Sequence, residues 1–377
     1  MDSSFQTEQL LLALASEFRI EARIAAITPF GSGHINDTYR IRNNNPEGHD
    51  YLLQRINHHV FKDVPLLMNN LLNVTRHLQK KLAHLPQSAL EKNVLTIIET
   101  NYSQSYYLDP DGNYWRMFYF LKDTRSYDQV TTEKQAFEGG KAFGKFQADL
   151  ADMDTELIKD TIPNFHNIEF RLQNFEKAIE NNQADRIREV LPEIEFIRTR
   201  ANSMFEILES GKNKTLPLRI VHNDTKFNNV LLDTDDKAQC VIDLDTVMPG
   251  YVAYDFGDSI RTIINSAAED EADTTTISLN LNLFQAYTSG YLQQSVPFLE
   301  KAEVDSLVKG VLLLPYIQAV RFLTDFLEGD IYFKIHSPEH NLLRTRAQLA
   351  LVKKLEENRE TLDHIIQDTW QYYKLKN

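Results

Sequence analysis

The first third of the chain alternates apolar and polar residues in the manner of β-strands. Such stretches cover 38–42, 51–56, 94–100, 105–108 and 115–121. The turn-forming cluster at 109–113 separates two of them. One helix is predicted inside this region, since apolar residues recur every three or four positions from Val64 to Leu82, with Asp63 as its cap. Another helix is predicted over 5–26. The pattern indicates a mostly antiparallel sheet with an internal helix.

The rest of the chain shows helical periodicity. Predicted helices cover 132–152, 168–182, 184–210, 276–293, 300–328 and 341–373. Short strands interrupt them at 218–245. A β-rich segment followed by a helical one predicts an α+β fold with two lobes. We place the N-terminal lobe at residues 1–121 and the C-terminal lobe at 122–377, joined near Tyr119–Ser126.

Composition and charge restrict the partners of the chain. Its 377 residues are enough for a large core, and its formal net charge is −14. An acidic surface repels nucleic acids and anionic membranes, so neither is an expected partner. The apolar run Leu10–Ala15 is too short for a signal core, and no membrane span is predicted. Cys240 is the only cysteine, which excludes an intrachain disulfide and favours the reducing cytoplasm.

The stretch at 220–245 holds the strongest chemical signal. Strands Val230–Leu232 and Cys240–Ile242 can pair about the turn at 234–237. That pairing would set Asn229, just before one strand, opposite Asp243, just after the other. Two oxygen ligands at the open end of a hairpin suit Mg²⁺, whose shell is completed by waters and phosphates. The sequence therefore predicts a magnesium site at Asn229 and Asp243.

Upstream of this hairpin lie residues suited to phosphoryl transfer. Asp224 is placed to take a proton from a substrate hydroxyl, and Lys226 to face a phosphate. With His222 and Asn229 they form H-x-D-x-x-x-x-N, an arrangement used in phosphotransfer. The tripeptide that begins at Asp255 also spells a kinase metal motif, but it lies too far along the chain for the hairpin to bring it to Asn229. We expect Asp255 to support the site or cap a helix.

At this point the sequence resembles the aminoglycoside phosphotransferase family, a relative of choline kinases and protein kinases. Val221–Asp233 looks like the catalytic loop of that family, and Ile242-Asp243 with the later Tyr254-Asp255 looks like its metal loop. Gly139–Asp152 resembles the first helix of its second lobe. The resemblance implies a two-lobed protein-kinase-like fold, with ATP and Mg²⁺ bound between the lobes.

Three stretches look most like N-acetylhexosamine 1-kinases within that family. They are Phe30–Asn36, Val241–Gly250 and Arg321–Asp325. Such enzymes move the γ-phosphate of ATP to the anomeric hydroxyl of GlcNAc or GalNAc. The resemblance therefore implies a neutral sugar as the acceptor.

The nucleotide side is predicted at a glycine-bearing turn between two strands. Its candidate residues are Gly31, Ser32, Gly33, His34 and Asn36. Glycines let backbone N–H groups approach phosphates, and His34 and Asn36 can add side-chain hydrogen bonds. The strand Tyr51–Ile56 carries no lysine where a kinase would place one. Arg55 is the candidate substitute, but alternation puts Gln54 and Arg55 on opposite faces, so only one of them faces the cleft.

The acceptor side is predicted from polar residues that could hydrogen-bond a sugar ring. The candidates are Asp245, Arg261, Arg321 and Asp325, with Asp330 and Tyr332 nearby. Arg321 and Asp325 are four residues apart, so they share a helix face and could equally form a surface ion pair. Asp245 could bind either the metal or the acceptor.

Two other functions remain open on the sequence. One is a kinase of the same superfamily that acts on choline, another amino alcohol or an aminoglycoside. The other is a nucleotide-binding regulatory module without turnover, which the missing strand lysine favours and the intact Asp224, Asn229 and Asp243 set disfavours. The oligomeric state is not set by the sequence.

Overall fold

The computed structural model describes residues 3–21, 23–31 and 35–376. Its strands are β1 (Ile24–Pro29), β2 (Asp37–Asn43), β3 (Tyr51–Ile56), β4 (Ile97–Ile98), β5 (Tyr107–Leu108), β6 (Tyr114–Tyr119), β7 (Arg219–Val221), β8 (Val230–Leu232), β9 (Ala238–Val241) and β10 (Met248–Gly250). Its α-helices are α1 (Ser3–Ser16), α2 (Val64–Lys81), α3 (Gln87–Asn93), α4 (Glu133–Leu150), α5 (Ile168–Asn181), α6 (Leu191–Arg200), α7 (Glu206–Lys212), α8 (Val252–Ile263), α9 (Leu281–Ser295), α10 (Lys301–Glu328), α11 (His340–Glu357) and α12 (Arg359–Lys374).

The N-terminal region is an antiparallel sheet of six strands. Their order is β1-β2-β3-β6-β4, and β5 also pairs with β6. One face of β3 carries Tyr51 and Leu53, which pack with α1. The other face carries Ile56, which packs with α2 and with C-terminal residues such as Leu244. The sheet therefore presents one of its two faces to the helical region.

The predicted α+β class is confirmed, because a β-rich N-terminal region precedes a helical C-terminal one. Helix α2 begins where predicted, and the Asp63 side chain accepts the backbone N–H of Leu66 at 2.9 Å. Three predicted helices were too long. The first ends at Ser16, the one over 184–210 is divided into α6 and α7, and the last breaks at Asn358. Helices α3 and α8 were not predicted.

The helical region is built around α10. This helix is buried along most of its length and packs against α5, α8 and α11. An added Cβ at Gly257 would overlap the backbone of Gly310, and one at Gly310 would overlap the backbone of Ala253. Only glycine therefore permits α8 to approach α10 this closely, which fixes the position of α8 beneath the loop at 222–229.

Helix α10 also has the length and composition of a membrane span. It is the one helix of this kind in the described residues, and 78% of its most apolar window is buried inside the protein. Burial of this kind is found in the core helices of globular proteins.

Candidate active site

Two small antiparallel pairs hold the loop at 222–229 in place. Strand β7, which enters the loop, pairs with β10, so that Val221 lies opposite Met248. Strand β8, which leaves it, pairs with β9, so that Val230 lies opposite Val241. The predicted hairpin at 230–241 is therefore confirmed. Because both ends of the loop are hydrogen-bonded, its side chains occupy defined positions.

Asp224 lies at the centre of this loop. Its Oδ1 is 3.1 Å from the Lys226 Nζ, and its Oδ2 accepts a hydrogen bond from the Asn229 Nδ2 at 3.2 Å. Burial alone would raise the pKa of Asp224, but the charges of Lys226, His222 and Arg261 more than offset it and the pKa lies below its usual value. Asp224 is therefore a carboxylate at neutral pH, as an acceptor of a hydroxyl proton must be.

Asn229 and Asp243 both lie at the end of the hairpin, but the register differs by one residue from the predicted pairing. The backbone oxygen of Asn229 accepts the N–H of Ile242 at 2.9 Å, so Asn229 lies opposite Ile242 rather than Asp243. Asp243 comes next, with a left-handed φ of 58°. The Asn229 Nδ2 donates to the backbone oxygen of Asp224 at 2.8 Å. This leaves the Asn229 Oδ1 as the side-chain atom suited to a cation.

The environment of Asp243 favours a bound cation. The Asp243 side chain is exposed at the surface and lies near the carboxylates of Asp245 and Asp224. Reduced hydration by the surrounding protein atoms and these two negative charges raise the pKa of Asp243 to about 6. An amide oxygen and a carboxylate are ligands that Mg²⁺ accepts. Asn229 and Asp243 therefore fit such an ion chemically. Among the described residues, no three histidine, cysteine or acidic side chains form a metal-binding group of their own.

Asp255 supports the loop from α8. Its Oδ2 accepts the backbone N–H of His222 at 2.8 Å, and its Oδ1 accepts that of Asn223 at 2.7 Å. The Gln147 side chain donates to it as well, at 2.8 Å. The expectation that Asp255 supports the site is confirmed by these contacts. Asn223 itself has a left-handed φ of 64°. The two hydrogen bonds from the backbone N–H groups of His222 and Asn223 to Asp255 help to hold this conformation.

The predicted phosphate turn is described only in part. Gly31 has a φ of 80°, which glycine adopts without strain. Ser32, Gly33 and His34 lie outside the described residues. Asn36 accepts the backbone N–H of Asn57 at 3.0 Å.

Arg55 does not face the helical region, which corrects the expectation that it replaces the kinase lysine. Its Nε donates to Asp37 at 2.8 Å, and both side chains are about half exposed. Gln54 is on the opposite face and accepts a hydrogen bond from the Arg116 Nε at 3.0 Å. Strand alternation places the two residues on opposite faces, and the tertiary structure shows that Gln54 is on the face toward the helical region.

Asp245 is bound to the N-terminal region rather than exposed to an acceptor. It is 3% exposed, and its two oxygens pair with the guanidinium of Arg116, one of them at 2.9 Å. Asn36 donates to it at 2.9 Å. Arg116 was not predicted from the sequence, where it stands out only as a single charged residue within an aromatic strand.

Two arginines lie near the loop, namely Arg321, which the sequence predicted as an acceptor residue, and Arg171. The Arg321 guanidinium lies 5.4 Å from the ring centre of Phe165 and donates to Gln318 at 2.7 Å. Arg171 donates to the backbone oxygen of Phe165, and burial and the nearby Arg321 lower its pKa to about 10. Neither guanidinium has a carboxylate partner among the described residues. Such a pair favours oxygen-rich ligands.

His166, which was not predicted from the sequence, contacts the loop and lies near both arginines. Its Nε2 lies 2.9 Å from the backbone oxygen of Asn223, the residue before Asp224. Burial, and then Arg321 and Arg171, lower the pKa of His166 to about 3, so the ring is neutral. Since Nε2 must donate to that oxygen, Nδ1 is an acceptor, and it has no partner within the described part of the chain.

Two other predicted acceptor residues have structural partners. Asp325 does not pair with Arg321. It is buried, and its oxygens accept the backbone N–H groups of residues 331–333. Arg261 is also buried and donates to Asp258 and Glu269, each at 2.9 Å. It acts on Asp224 through its charge.

Comparisons with known proteins identify the family and the fold of the chain. The sequence model of a protein family, described as the phosphotransferase enzyme family, matches residues 26–292 of the chain. An aminoglycoside phosphotransferase from Alicyclobacillus acidocaldarius is 13% identical over 96% of both chains, with a TM-score of 0.61. A choline kinase from Cryptosporidium parvum is 16% identical over 96% of this chain and 97% of its own, with a TM-score of 0.57.

An amicoumacin kinase solved with AMP-PNP and Ca²⁺ is 14% identical over 93% of this chain and 96% of its own, with a TM-score of 0.59. At such identities, the solved structures show a shared fold. The family match covers more than half of the sequence and includes the loop at 222–229 and the residues that follow it. The chain therefore belongs to the phosphotransferase enzyme family, and it has the kinase-like fold of that family's small-molecule kinases.

Proposed function

We propose that the protein is an ATP-dependent kinase that transfers the γ-phosphate to the anomeric hydroxyl of an N-acetylhexosamine, GlcNAc or GalNAc. The observation that carries the choice of acceptor is the pair Arg171 and Arg321, which lies near the Asp224 loop without a carboxylate partner among the described residues. The acidic charge and the single cysteine, Cys240, are in keeping with a cytoplasmic location, which belongs to this proposal.

The chain's own residues would prepare the acceptor hydroxyl. Asp224 is ionised and has one oxygen bonded to Asn229 and the other near Lys226, so the loop orients its carboxylate. It would hold the hydroxyl and take its proton as the phosphoryl group arrives. Lys226 would offset negative charge on that group. Asn229 and Asp243 would hold Mg²⁺, which when bound neutralises charge on the phosphates.

The positive charge of Arg171 and Arg321 beside the loop favours a neutral acceptor over a cationic one. Choline and aminoglycosides are cations, and an enzyme that binds them needs acidic and aromatic groups in its pocket. Here the aromatic rings of Phe165, Tyr332 and Phe333 already surround a cation, Arg321. A second cation would be repelled by Arg321 and Arg171. A neutral sugar could instead offer its ring hydroxyls and acetamide oxygen to the guanidinium groups.

An assay of ADP formation over a panel of acceptors tests this proposal. The panel contains GlcNAc, GalNAc, glucose, choline and kanamycin, each with Mg²⁺ and ATP. We expect turnover with an N-acetylhexosamine and a phosphorylated product that carries the phosphate at the anomeric carbon. Turnover with choline or kanamycin alone would instead support the amino-alcohol or aminoglycoside alternative, and ATP binding without turnover on any acceptor would support a regulatory module.

A variant of Arg321 tests whether this residue takes part in binding the acceptor. Arg321→Met removes the charge and keeps the length of the side chain. We expect it to raise KM for the sugar about tenfold or more, from the loss of charged hydrogen bonds, with little change in ATP affinity. Arg359→Met, which changes an exposed arginine at the start of helix α12, is the control. Equal sugar kinetics in the two variants would exclude Arg321 from acceptor binding.

A further inference from the structure

Among the described residues of β3, none on the face that meets the helical region carries a positive charge. Gln54 is on that face, while Arg55 is on the other and pairs with Asp37 near the surface. A nucleotide triphosphate brings several negative charges to this junction. The N-terminal region therefore needs a positive group from another strand if it is to contact the phosphates directly.

Arg116 supplies a positive group at this position. It lies on β6 directly opposite Gln54 in the strand register, and its side chain is 3% exposed. Its Nε donates to Gln54, and its two other nitrogens pair with Asp245 from the helical region. Asp245 is two residues from Asp243, and Arg116 is among the charges that lower the pKa of Asp243. Arg116 thus lies beside the proposed metal site.

The end of the glycine-bearing turn reaches the same carboxylate. Asn36 donates to Asp245 at 2.9 Å and accepts the backbone N–H of Asn57. One carboxylate therefore joins the turn, the cation on β6 and the metal loop. A carboxylate binds a guanidinium through two parallel hydrogen bonds, and a phosphate binds it in the same way. Asp245 accordingly occupies the position on Arg116 that a phosphate would take.

We propose that Arg116 is the phosphate-binding cation of the N-terminal region, and that Asp245 holds it until a nucleotide arrives. This inference rests on the proposed function and assigns a nucleotide-binding residue to it. When Mg-ATP binds, the guanidinium donates to phosphate oxygens in place of Asp245. Gln54, which stays bonded to the Nε, keeps the side chain directed toward the junction.

Binding measurements with ATP, ADP and adenosine test the assignment, using calorimetry with Mg²⁺ present. Arg116→Met should weaken ATP and ADP binding about 10- to 100-fold, as expected for charged hydrogen bonds, and leave adenosine binding within about twofold. Arg55→Met is the matched control on the opposite face and should bind all three as the wild type does. In Arg116→Met, a further Gln54→Lys change should restore part of the lost ATP affinity, since position 54 lies opposite position 116.

The result that would overturn the inference is an equal loss for ATP and adenosine in Arg116→Met, or no loss at all. A structure of the wild type with Mg²⁺ and a non-hydrolysable ATP analogue gives a measurement that does not depend on a variant that folds. A guanidinium nitrogen within hydrogen-bonding distance of a phosphate oxygen supports the assignment, and an Arg116 still paired only with Asp245 refutes it. If the wild type binds ATP no better than adenosine, the proposed function fails together with the inference. Phosphate-dependent binding that survives in Arg116→Met removes the inference alone.

Discussion

Replacing Asp325 by asparagine tests whether one buried carboxylate orders the segment beside Arg321. Asp325 is 2% exposed. It accepts the backbone N–H groups of residues 331, 332 and 333 at 2.9, 2.7 and 3.0 Å. It also accepts the Asn341 side chain at 2.8 Å. Four donors therefore converge on two oxygens, and they hold in place the segment that carries the rings around Arg321.

The expected loss of unfolding free energy follows from these four hydrogen bonds. Asparagine keeps one oxygen, which can still accept two of them, but its NH₂ group faces the other two donors. A hydrogen bond to a charged group is worth about 1.5–3 kcal/mol, and a buried donor left unpaired costs about 1–3 kcal/mol. Because such terms are not additive, we expect Asp325→Asn to lower the free energy of unfolding by about 2–5 kcal/mol.

Urea unfolding followed by circular dichroism measures this difference. Asp305→Asn is the control, since Asp305 lies on the same helix but in a half-exposed pair with Lys301. Its change should stay within about 1 kcal/mol. Asp325→Asn should also raise KM for the acceptor, because Tyr332 and Phe333 flank the Arg321 guanidinium, while ATP affinity is kept. Equal stability of the two variants would refute the argument that Asp325 orders the segment.

Three further predictions concern the loop, the metal and the acid stability. Asp224→Asn should retain ATP binding but reduce kcat at least about 10²-fold in the ADP assay, since it removes the proton acceptor; unchanged turnover would exclude that role. Asp243→Ala should abolish the Mg²⁺ dependence of ATP binding in calorimetry, and normal metal dependence there would place the ion elsewhere. Burial alone would raise the pKa of Asp109, but hydrogen bonds from Trp115 and Asn113 more than offset it, so the folded value lies below the unfolded one. The ionised Asp109 thus contributes to the free energy of unfolding above about pH 4, and this contribution is lost as pH falls through the folded pKa. Urea unfolding of Asp109→Asn should therefore show a loss of about 1–2 kcal/mol at pH 7 and a smaller loss at pH 3.

Features that depend on nearby residues could be predicted from the sequence. The hairpin at 230–241, the Asp63 cap and the supporting role of Asp255 all appear in the structure. A turn and its flanking strands, or a cap and the helix that follows, are encoded within a few positions. The spacing of Asn229 and Asp243 about the hairpin therefore indicated their common end, with an error of one residue in the register.

Helix boundaries were less predictable. The apolar pattern continues across Asn358, so one long helix was expected where α11 and α12 are separate. Helix α8 was not predicted, because it mixes apolar residues with the acidic Asp255 and Asp258 and with Arg261. These polar side chains are nevertheless buried, since Asp255 accepts backbone N–H groups from the loop at 222–229 and Arg261 pairs with Glu269 as well as with Asp258. A local pattern does not contain those partners.

The sequence by itself determined the family, the loop that carries Asp224 and the hairpin beside it, because those residues are close together in the chain. Only the tertiary structure decided that Arg116 pairs with Asp245, which is buried, while Asp243 stays exposed. Arg116 and Asp245 are 129 positions apart, and their pairing depends on how the sheet meets the helical region. Asp325 lies four residues from Arg321 on one helix, but it accepts backbone N–H groups instead of pairing with that arginine. A buried carboxylate is stabilised most where several donors converge.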